Sequence, residues 1–305
     1  MQIRLTLRQL ELFSALPAHE TLASAAAALS MSESALSHAV TELERAVGEQ
    51  LCIRRKARGF SLTPAGRHVA ERARRIIHDA DAIAGDLAGA DGELRGPAHL
   101  GCYTGLGPTI VPPLLDGFPR IHPAVEIAVT VGPNDEILPA LESGRLDIAV
   151  VYDMDLPPKL QQLPVYRTEV VALLPADHPL AGQPAVELRS LADDPFILLD
   201  SVPSTANTYR IFRELGINPR ITTSMPTLEL VRALVGRGLG YSLVMSRPNQ
   251  SPVSVEGRHI VERPLSPRAG KTSVVAVWPE HLALSRRART LAEYAAAGLS
   301  KGRTE

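Results

Sequence analysis

Cysteine is nearly absent from this chain. Cys52 and Cys102 are the two in 305 residues, too few for a disulfide scaffold and without the paired spacing of a thiolate metal site. The nine histidines are scattered, so neither a metal nor a cofactor is called for. No apolar run approaches the roughly 18 residues a membrane span requires. The opening Met1 to Leu10 sets Arg4 and Arg8 among isolated leucines instead of building a signal-peptide core. The chain is therefore expected in the cytoplasm, with no membrane partner. Enzyme signatures are missing as well. Gly105-Leu106-Gly107 and Gly236-Arg237-Gly238-Leu239-Gly240 lack the third glycine at dinucleotide-binding spacing, and neither a phosphate loop nor a Gly-x-Ser-x-Gly elbow occurs. The expectation is a protein with no catalytic residues.

The remaining composition is that of a globular protein. It is 45% hydrophobic and 21% charged, with a mean hydropathy of +0.03, which excludes disordered and collagenous chains. The length suggests two or three domains with ample chain for hydrophobic cores. The net charge of -1 hides an asymmetry: residues 1–80 carry 11 basic and 8 acidic side chains, leaving an acidic remainder. Between Arg45 and Arg75 nine cations face only Glu49 and Glu71. That cluster is either a polyanion-binding surface, which gains affinity by releasing condensed counterions, or a solvated helix face with a basic loop.

Leu7, Leu10, Phe13 and Leu16 recur near the helical period and predict an amphipathic helix ending before Pro17. Thr21 caps a second helix with Leu22, Ala25, Ala26 and Leu29 on one face. A short polar break, Ser30-Met31-Ser32, leads to a third helix. Its inner face is expected at Ala35, Ala39, Leu43 and Val47, its outer face at Ser34, Ser37, His38, Thr41 and Arg45. Two helices joined by so short a turn form a helix-turn-helix, whose second helix fits a DNA major groove. Hydroxyls there can bond phosphates or base edges, and His38 can donate to guanine. Glu33 either completes a capping box from Ser30 or accepts from a cytosine amino group.

Leu51 to Thr63 flanks a basic, glycine-containing turn with apolar residues, the pattern of a hairpin or wing. Arg54, Arg55, Lys56 and Arg58 would lie along phosphates or reach a minor groove, or simply decorate a solvated tip. Thr63 and Pro64 open a long helix, with proline at the first helical position where its missing N–H costs nothing. Val69, Ala73, Ile76, Ala80, Ile83 and Leu87 follow at spacings of 4, 3, 4, 3 and 4. That period of about 3.5 residues marks a coiled-coil dimerisation seam, or else a stripe packed on the chain's own body. Asp91-Gly92 and Gly96-Pro97 are expected to end the helix and supply a linker.

Residues 7–66 resemble the LysR-type transcriptional regulators. The resemblance is carried by Leu7-Arg8-Gln9-Leu10, Ala25-Ala26, Ser34-Ala35-Leu36-Ser37, Leu43-Glu44, Gly48, Leu51 with Arg54, and Leu62-Thr63-Pro64-Ala65-Gly66. It implies an α+β multidomain chain: a winged helix-turn-helix over 1–63, a dimerising linker helix over 64–92 and an effector-binding domain over 93–305. It also implies DNA contacts at Ser32, Glu33, Ser34, Ser37, His38 and Arg54. Cys52, Glu33 and His38 depart from the residues frequent in the family, so an operator sequence cannot be borrowed.

Beyond Ala98 short apolar runs alternate with helical stretches, suggesting βαβ units around parallel sheets. Strands are expected over 98–102, 125–131, 147–151, 170–174, 196–199, 221–224, 241–244 and 273–278. Pro112-Pro113-Leu114-Leu115, Leu141 to Ala149 and Gly236 to Gly240 again resemble the family's effector domain, implying an α/β fold of the type 2 periplasmic-binding-protein kind. Subdomain I would span 97–166 and 270–298, subdomain II 167–269, with the chain crossing twice. Ligands bind such sheets beyond the carboxyl ends of the strands. That places Tyr103, Thr104 and Gly105 in one loop, Asn134 in a second, Ser201, Ser204 and Thr205 in a third, and Met225 and Thr227 in a fourth. Ser204 and Thr227 either cap helices or touch the ligand. Hydroxyls and helix amides there suit a small carboxylate, but none of the four loops holds arginine or lysine, which disfavours a strongly anionic effector.

The residues and the resemblance together predict a cytoplasmic, DNA-binding regulator of transcription. Its expected partners are double-stranded DNA bearing an interrupted inverted repeat in a promoter, a small organic effector, and itself, as a dimer or a dimer of dimers. The competing class is a solute-binding protein or small-molecule enzyme fused to a helical dimerisation module.

Overall fold

The structure is a computed structural model that describes residues 5–55, 59–87 and 93–300. Two compact units divide the chain: Met1–Arg95 with Ala140–Leu146, and Gly96–Pro139 with Asp147–Glu305.

The first unit opens with α1 (Leu7–Ala15), a 3-10 turn over Leu16–Ala18, α2 (Leu22–Ala28) and α3 (Glu33–Val47). A hairpin, β1 (Cys52–Arg55) with β2 (Gly59–Leu62), and the long α4 (Pro64–Leu87) follow. Local chemistry explains the helix starts. Thr6 and Thr21 each accept from the N3 amide in reciprocal capping boxes, and Thr63 Oγ1 accepts from Gly66 N at 2.9 Å at the head of α4. Gly48 ends α3 in the left-handed conformation at φ 80°. Phe13, Leu16, Leu36, Leu43 and Leu51 are fully enclosed in one core, each burial worth about 1.5–3 kcal/mol.

Three expectations are corrected in this unit. Leu7 is 52% exposed, because a strict three-residue repeat drifts off the 3.6-residue face; Leu12 takes an inner place. The buried stripe of α3 is Leu36, Val40 and Leu43, while Ala35 is exposed and Ala39 and Val47 are only partly covered. The larger side chains gain more from burial than the alanines do and so set the rotation of the helix. The α3 cap is Ser32, accepting from Ala35 N at 3.2 Å. Ser30 sits instead at φ 54° in the turn, so the capping box from Ser30 to Glu33 does not form.

Close backbone approach fixes the hairpin. Glu44 on α3 accepts the amides of Leu51 at 2.8 Å and Cys52 at 3.0 Å. A Cβ placed on Gly66 of α4 would stand 2.0 Å from the Leu51 carbonyl oxygen, a contact only glycine allows. The antiparallel register pairs Cys52 with Leu62 and Arg55 with Gly59.

The second unit contains β3 (Gly96–Tyr103), α5 (Gly107–Ile121), β4 (Val125–Gly132), α6 (Asn134–Glu142) apart from its last turn, which counts with the first unit, β5 (Ile148–Tyr152) and β6 (Leu160–Thr168). Then come β7 (Val170–Pro175), β8 (Pro195–Leu199), α7 (Ser204–Glu214), β9 (Arg220–Met225), α8 (Leu228–Gly236) and β10 (Ser242–Met245). β11 (Ile260–Pro264), β12 (Thr272–Pro279) and α9 (Arg286–Ser300) complete it. One sheet has the order β4-β3-β5-β12-β6; the others are β10-β7-β11 and β8-β9. A parallel bridge from Phe196 to Tyr241 joins these two. The chain passes from the first sheet to the second between β6 and β7 through Glu169 alone, and returns between β11 and β12.

The five-stranded sheet is mixed and the three-stranded one antiparallel, while β8 and β9 pair in parallel, which corrects the expectation of parallel sheets. β3 runs parallel to β4 and β5, but β12 is antiparallel to β5 and β6, and β7 to β10 and β11. A strand that returns from the other sheet enters from the opposite end. Gly96 and Pro97 begin β3 and are not linker; Asp91 and Gly92 lie outside the described residues.

Candidate functional site

The outer side of α3 carries the residues singled out for DNA. Ser32, Glu33, Ser34, His38 and Thr41 are exposed and Ser37 is half-buried, opposite the Leu36, Val40 and Leu43 stripe. Part of this polarity is spoken for locally. Ser32 Oγ lies 3.1 Å from Ser34 Oγ, Thr41 Oγ1 donates to the Ser37 carbonyl at 3.0 Å, and Arg45 pairs with Glu42. Glu33 is the first residue of the helix, where its charge favours the positive end of the helix dipole. Arg54 and Arg55 form the end of β1, but their side chains lie outside the described residues, as do Lys56 and Arg58 altogether.

The long stripe on α4 divides in two. Val69 packs on the core of its own unit and Ala73 is fully buried there, together with Ala70 and Ile77. Ala73 thus moves from the seam to the core. Ile76 and Ile83 are 44% and 63% exposed and Ala80 is half-buried; the Leu87 side chain lies outside the described residues. A helix of 24 residues runs about 36 Å, and its first half packs on the core of its own unit.

In the second unit a cavity of about 640 Å³ opens where β3, β5, β8 and β10 end. Tyr103, Thr104 and Gly105 line it, as do Ser201, Ser204 and Thr227. Thr227 both lines the cavity and caps α8, accepting from Leu230 N at 3.5 Å. Ser204 makes no cap; the residue before α7 is Pro203. Three expected residues do not line the cavity. Asn134 is buried at the head of α6, Thr205 turns inward to donate to the Leu199 carbonyl at 3.2 Å, and Met225 packs on the core between β8 and α8.

Sequence reasoning missed the strongest charge in the cavity. Arg247 lines it from just beyond β10, which overturns the expectation of a site without cations. A Cβ on Gly105 would stand 2.7 Å from Tyr103 Cε1 and 3.4 Å from Arg247 Nη2, so Gly105 leaves room for both. Tyr103 and Ser201 share a hydrogen bond of 2.9 Å between the two sheets, and the Tyr103 and Tyr152 rings meet edge to face at 5.7 Å. The Arg247 charge acts on the Tyr152 phenol. Burial holds the Tyr152 phenol above its usual range and pushes the Cys102 thiol up to about 12, with Arg247 opposing both shifts. Asp135, Asp200 and Glu229 lie on the same cavity and are exposed. The arrangement can seat a small molecule with an anionic end and an apolar body. No group of three His, Cys, Asp or Glu side chains able to hold a metal occurs among the described residues.

Comparison with known proteins matches both parts of the chain. Residues 7–67 match the family model described as bacterial regulatory helix-turn-helix protein, lysR family, and residues 91–300 the LysR substrate binding domain. The Mycobacterium avium protein named Probable hydrogen peroxide-inducible genes activator is 30% identical over 253 residues, 82% of this chain and 80% of its own. HinK, a LysR family transcriptional regulator from Pseudomonas aeruginosa, is 34% identical with a TM-score of 0.65, over 97% of this chain and 99% of that one. A full-length OxyR variant from the same organism is 25% identical with a TM-score of 0.76, over 95% and 94%. With a helix-turn-helix at its head and a substrate-binding domain behind it, this chain belongs to the LysR family of transcriptional regulators.

Proposed function

We propose that this protein binds a specific promoter duplex as a homo-oligomer and that a small organic molecule in the cavity between its two effector subdomains sets the response. The carrying observation is α3: a polar face of Ser34, His38 and Thr41 presented by a buried Leu36, Val40 and Leu43 stripe beside a hairpin rich in arginine. Such a helix fits the major groove, with Ser32, Glu33 and Ser37 at its edge and Arg54, Arg55, Lys56 and Arg58 following the phosphates. A single helix-turn-helix reads one half-site. Paired copies held at α4 by Ile76, Ala80, Ile83 and Leu87 would span an interrupted inverted repeat, and two such dimers would form a tetramer. The functional division we adopt is 1–63 for DNA, 64–92 for the linker helix and 93–305 for the effector domain, with subdomains at 97–166 plus 270–298 and at 167–269. The ligand acts as a switch only through different affinities for two arrangements of the oligomer. We assign no catalytic step to the chain.

The peroxide response in the name of the mycobacterial relative is a second reading, and the thiols argue against it. Cys52 and Cys102 are each buried within a different unit. At a pKa of about 12, the Cys102 thiol holds almost no reactive thiolate at neutral pH.

The test is a titration of fluorescent duplex from the DNA upstream of its own gene, beside a shuffled duplex, at several salt concentrations. Saturable, salt-sensitive preference for the native duplex supports a sequence-specific regulator; equal weak binding to both overturns it.

A further inference from the structure

Within that reading of the cavity as the effector site, we propose that the effector is a monocarboxylate with an apolar body, its carboxylate held by Arg247. Three observations carry this. First, the Arg247 guanidinium carries spare donors, the nearest carboxylate acting on it, Glu262, doing so only from beyond ion-pair distance. Its Nε is buried and has no hydrogen-bond partner, and no carboxylate among the described residues forms an ion pair with it. A guanidinium presents five donors in a planar fork that fits a carboxylate two-pronged. Here the Tyr152 phenol lies beside it on the cavity wall, and the Tyr103–Ser201 hydroxyl pair leaves one O–H in the same cavity to bond the second carboxylate oxygen. Arg247 is half-buried, so an anionic ligand meets a donor fork already shielded from part of the solvent, which a neutral one exploits less.

Second, much of the lining is apolar, with Pro108, Val202, Pro226, Leu228, Val244 and Met245. A cavity of about 640 Å³ suits a ligand of some ten heavy atoms or more whose body is desolvated there. Third, the other charges in the cavity are acidic. Asp135, Asp200 and Glu229 would repel a second carboxylate or a phosphate ester carrying two charges. One anionic group is matched; two are not.

The experiment uses the full chain and three probes of similar size: phenylacetate, its neutral amide phenylacetamide, and the dicarboxylate adipate. Binding is measured by calorimetry and by the shift of the melting transition. Phenylacetate is expected to bind about tenfold or more tightly than the amide, since only the acid completes the charge-assisted pair, and adipate is expected to bind more weakly than phenylacetate. Arg247→Gln should erase the preference for acid over amide, and Arg247→Lys should restore part of it. Equal binding of acid and amide, no binding of the acid, tighter binding of adipate, or an undiminished preference in Arg247→Gln overturns the proposal. The comparison of acid with amide needs no variant, so a poorly folded substitution cannot shield the idea. Upstream-duplex affinity on the same preparation separates this from the regulator reading. A chain that binds its duplex but shows no acid preference sinks the ligand class alone; one that binds phenylacetate through Arg247 and ignores the duplex keeps the ligand class and sinks the regulator.

Discussion

Gly66→Ala sets two physical effects of opposite sign against each other. Glycine inside a helix costs about 1 kcal/mol relative to alanine, so by propensity alone the substitution in α4 stabilises the first unit by that amount. The structure predicts the reverse. The added methyl would stand 2.0 Å from the Leu51 carbonyl oxygen and 3.0 Å from its carbon, and both are backbone atoms that cannot rotate aside. The same carbonyl accepts the Thr63 amide at 3.0 Å, so moving it disturbs the head of α4 and the entry to the hairpin together. Overpacking of this kind costs about 1–3 kcal/mol, which outweighs the propensity gain and leaves a net loss of about 1 kcal/mol. In a unit of this size that lowers the melting transition by roughly 4–8 °C. Gly298→Ala in α9 is the control, because a Cβ there meets nothing within 4 Å; propensity acts alone and that variant should be unchanged or slightly more stable. Calorimetry reads the melting transition, and duplex affinity reports the hairpin. A Gly66→Ala protein that melts higher than the parent, with undiminished duplex binding, would refute the packing argument.

Further outcomes follow from other parts of the molecule. Leu43→Ala removes a fully enclosed side chain of the α3 stripe and should cost about 2–5 kcal/mol, read as loss of the first unit's transition and of duplex binding; a loss under about 1 kcal/mol would mean that the core collapses around the cavity. Ile76→Asp, or Ile83→Asp, puts a charge on the exposed half of α4 and should lower the mass measured by light scattering, an unchanged mass pointing to another interface. Neither thiol should react with iodoacetamide at about pH 8 in the folded chain, and both should react in urea; brisk native alkylation would contradict the burial of Cys52 and Cys102. Alkaline stability carries a sign. Because burial raises the folded pKa of the Cys102 thiol and of the Tyr152, Tyr166 and Tyr241 phenols, the folded state holds protons the unfolded chain releases. Their contribution is intact below about pH 9 and is lost as the pH rises towards the folded values. Tyrosinate absorbance from these three should appear only with unfolding, and a normal titration near about pH 10 would show that they are accessible.

Local signals made much of the DNA-binding half legible. Thr21 before an alanine-rich turn, Thr63 before Pro64, and Gly48 closing α3 mark boundaries within a few residues of themselves, because capping and left-handed turns are satisfied by near neighbours. Which α3 residues face inward was less legible. A pattern of alanines competes with one of larger side chains, and only the packed partner helix selects Leu36 and Val40. The strand β6 escaped notice because Pro164 interrupts it. The sheet tolerates that proline because β6 is an edge strand whose register with β12 shifts there, between Val274 and Val275. The cavity was found from its loops, yet its one arginine was not. Arg247 stands three residues beyond the strand expected over 241–244, as close to a strand end as Thr227, so a survey of every strand terminus would have included it. The sequence by itself determined the element types of the DNA-binding half, the family and the position of the polar α3 face, since periodicity, caps and motif order act over short stretches of chain. Only the tertiary structure brought Arg247 to Tyr103, Tyr152 and Ser201 and split the α4 stripe into a buried and an exposed half. Those outcomes depend on where the chain crosses between sheets and on which stretch of a helix meets the core of its unit, which no local pattern records.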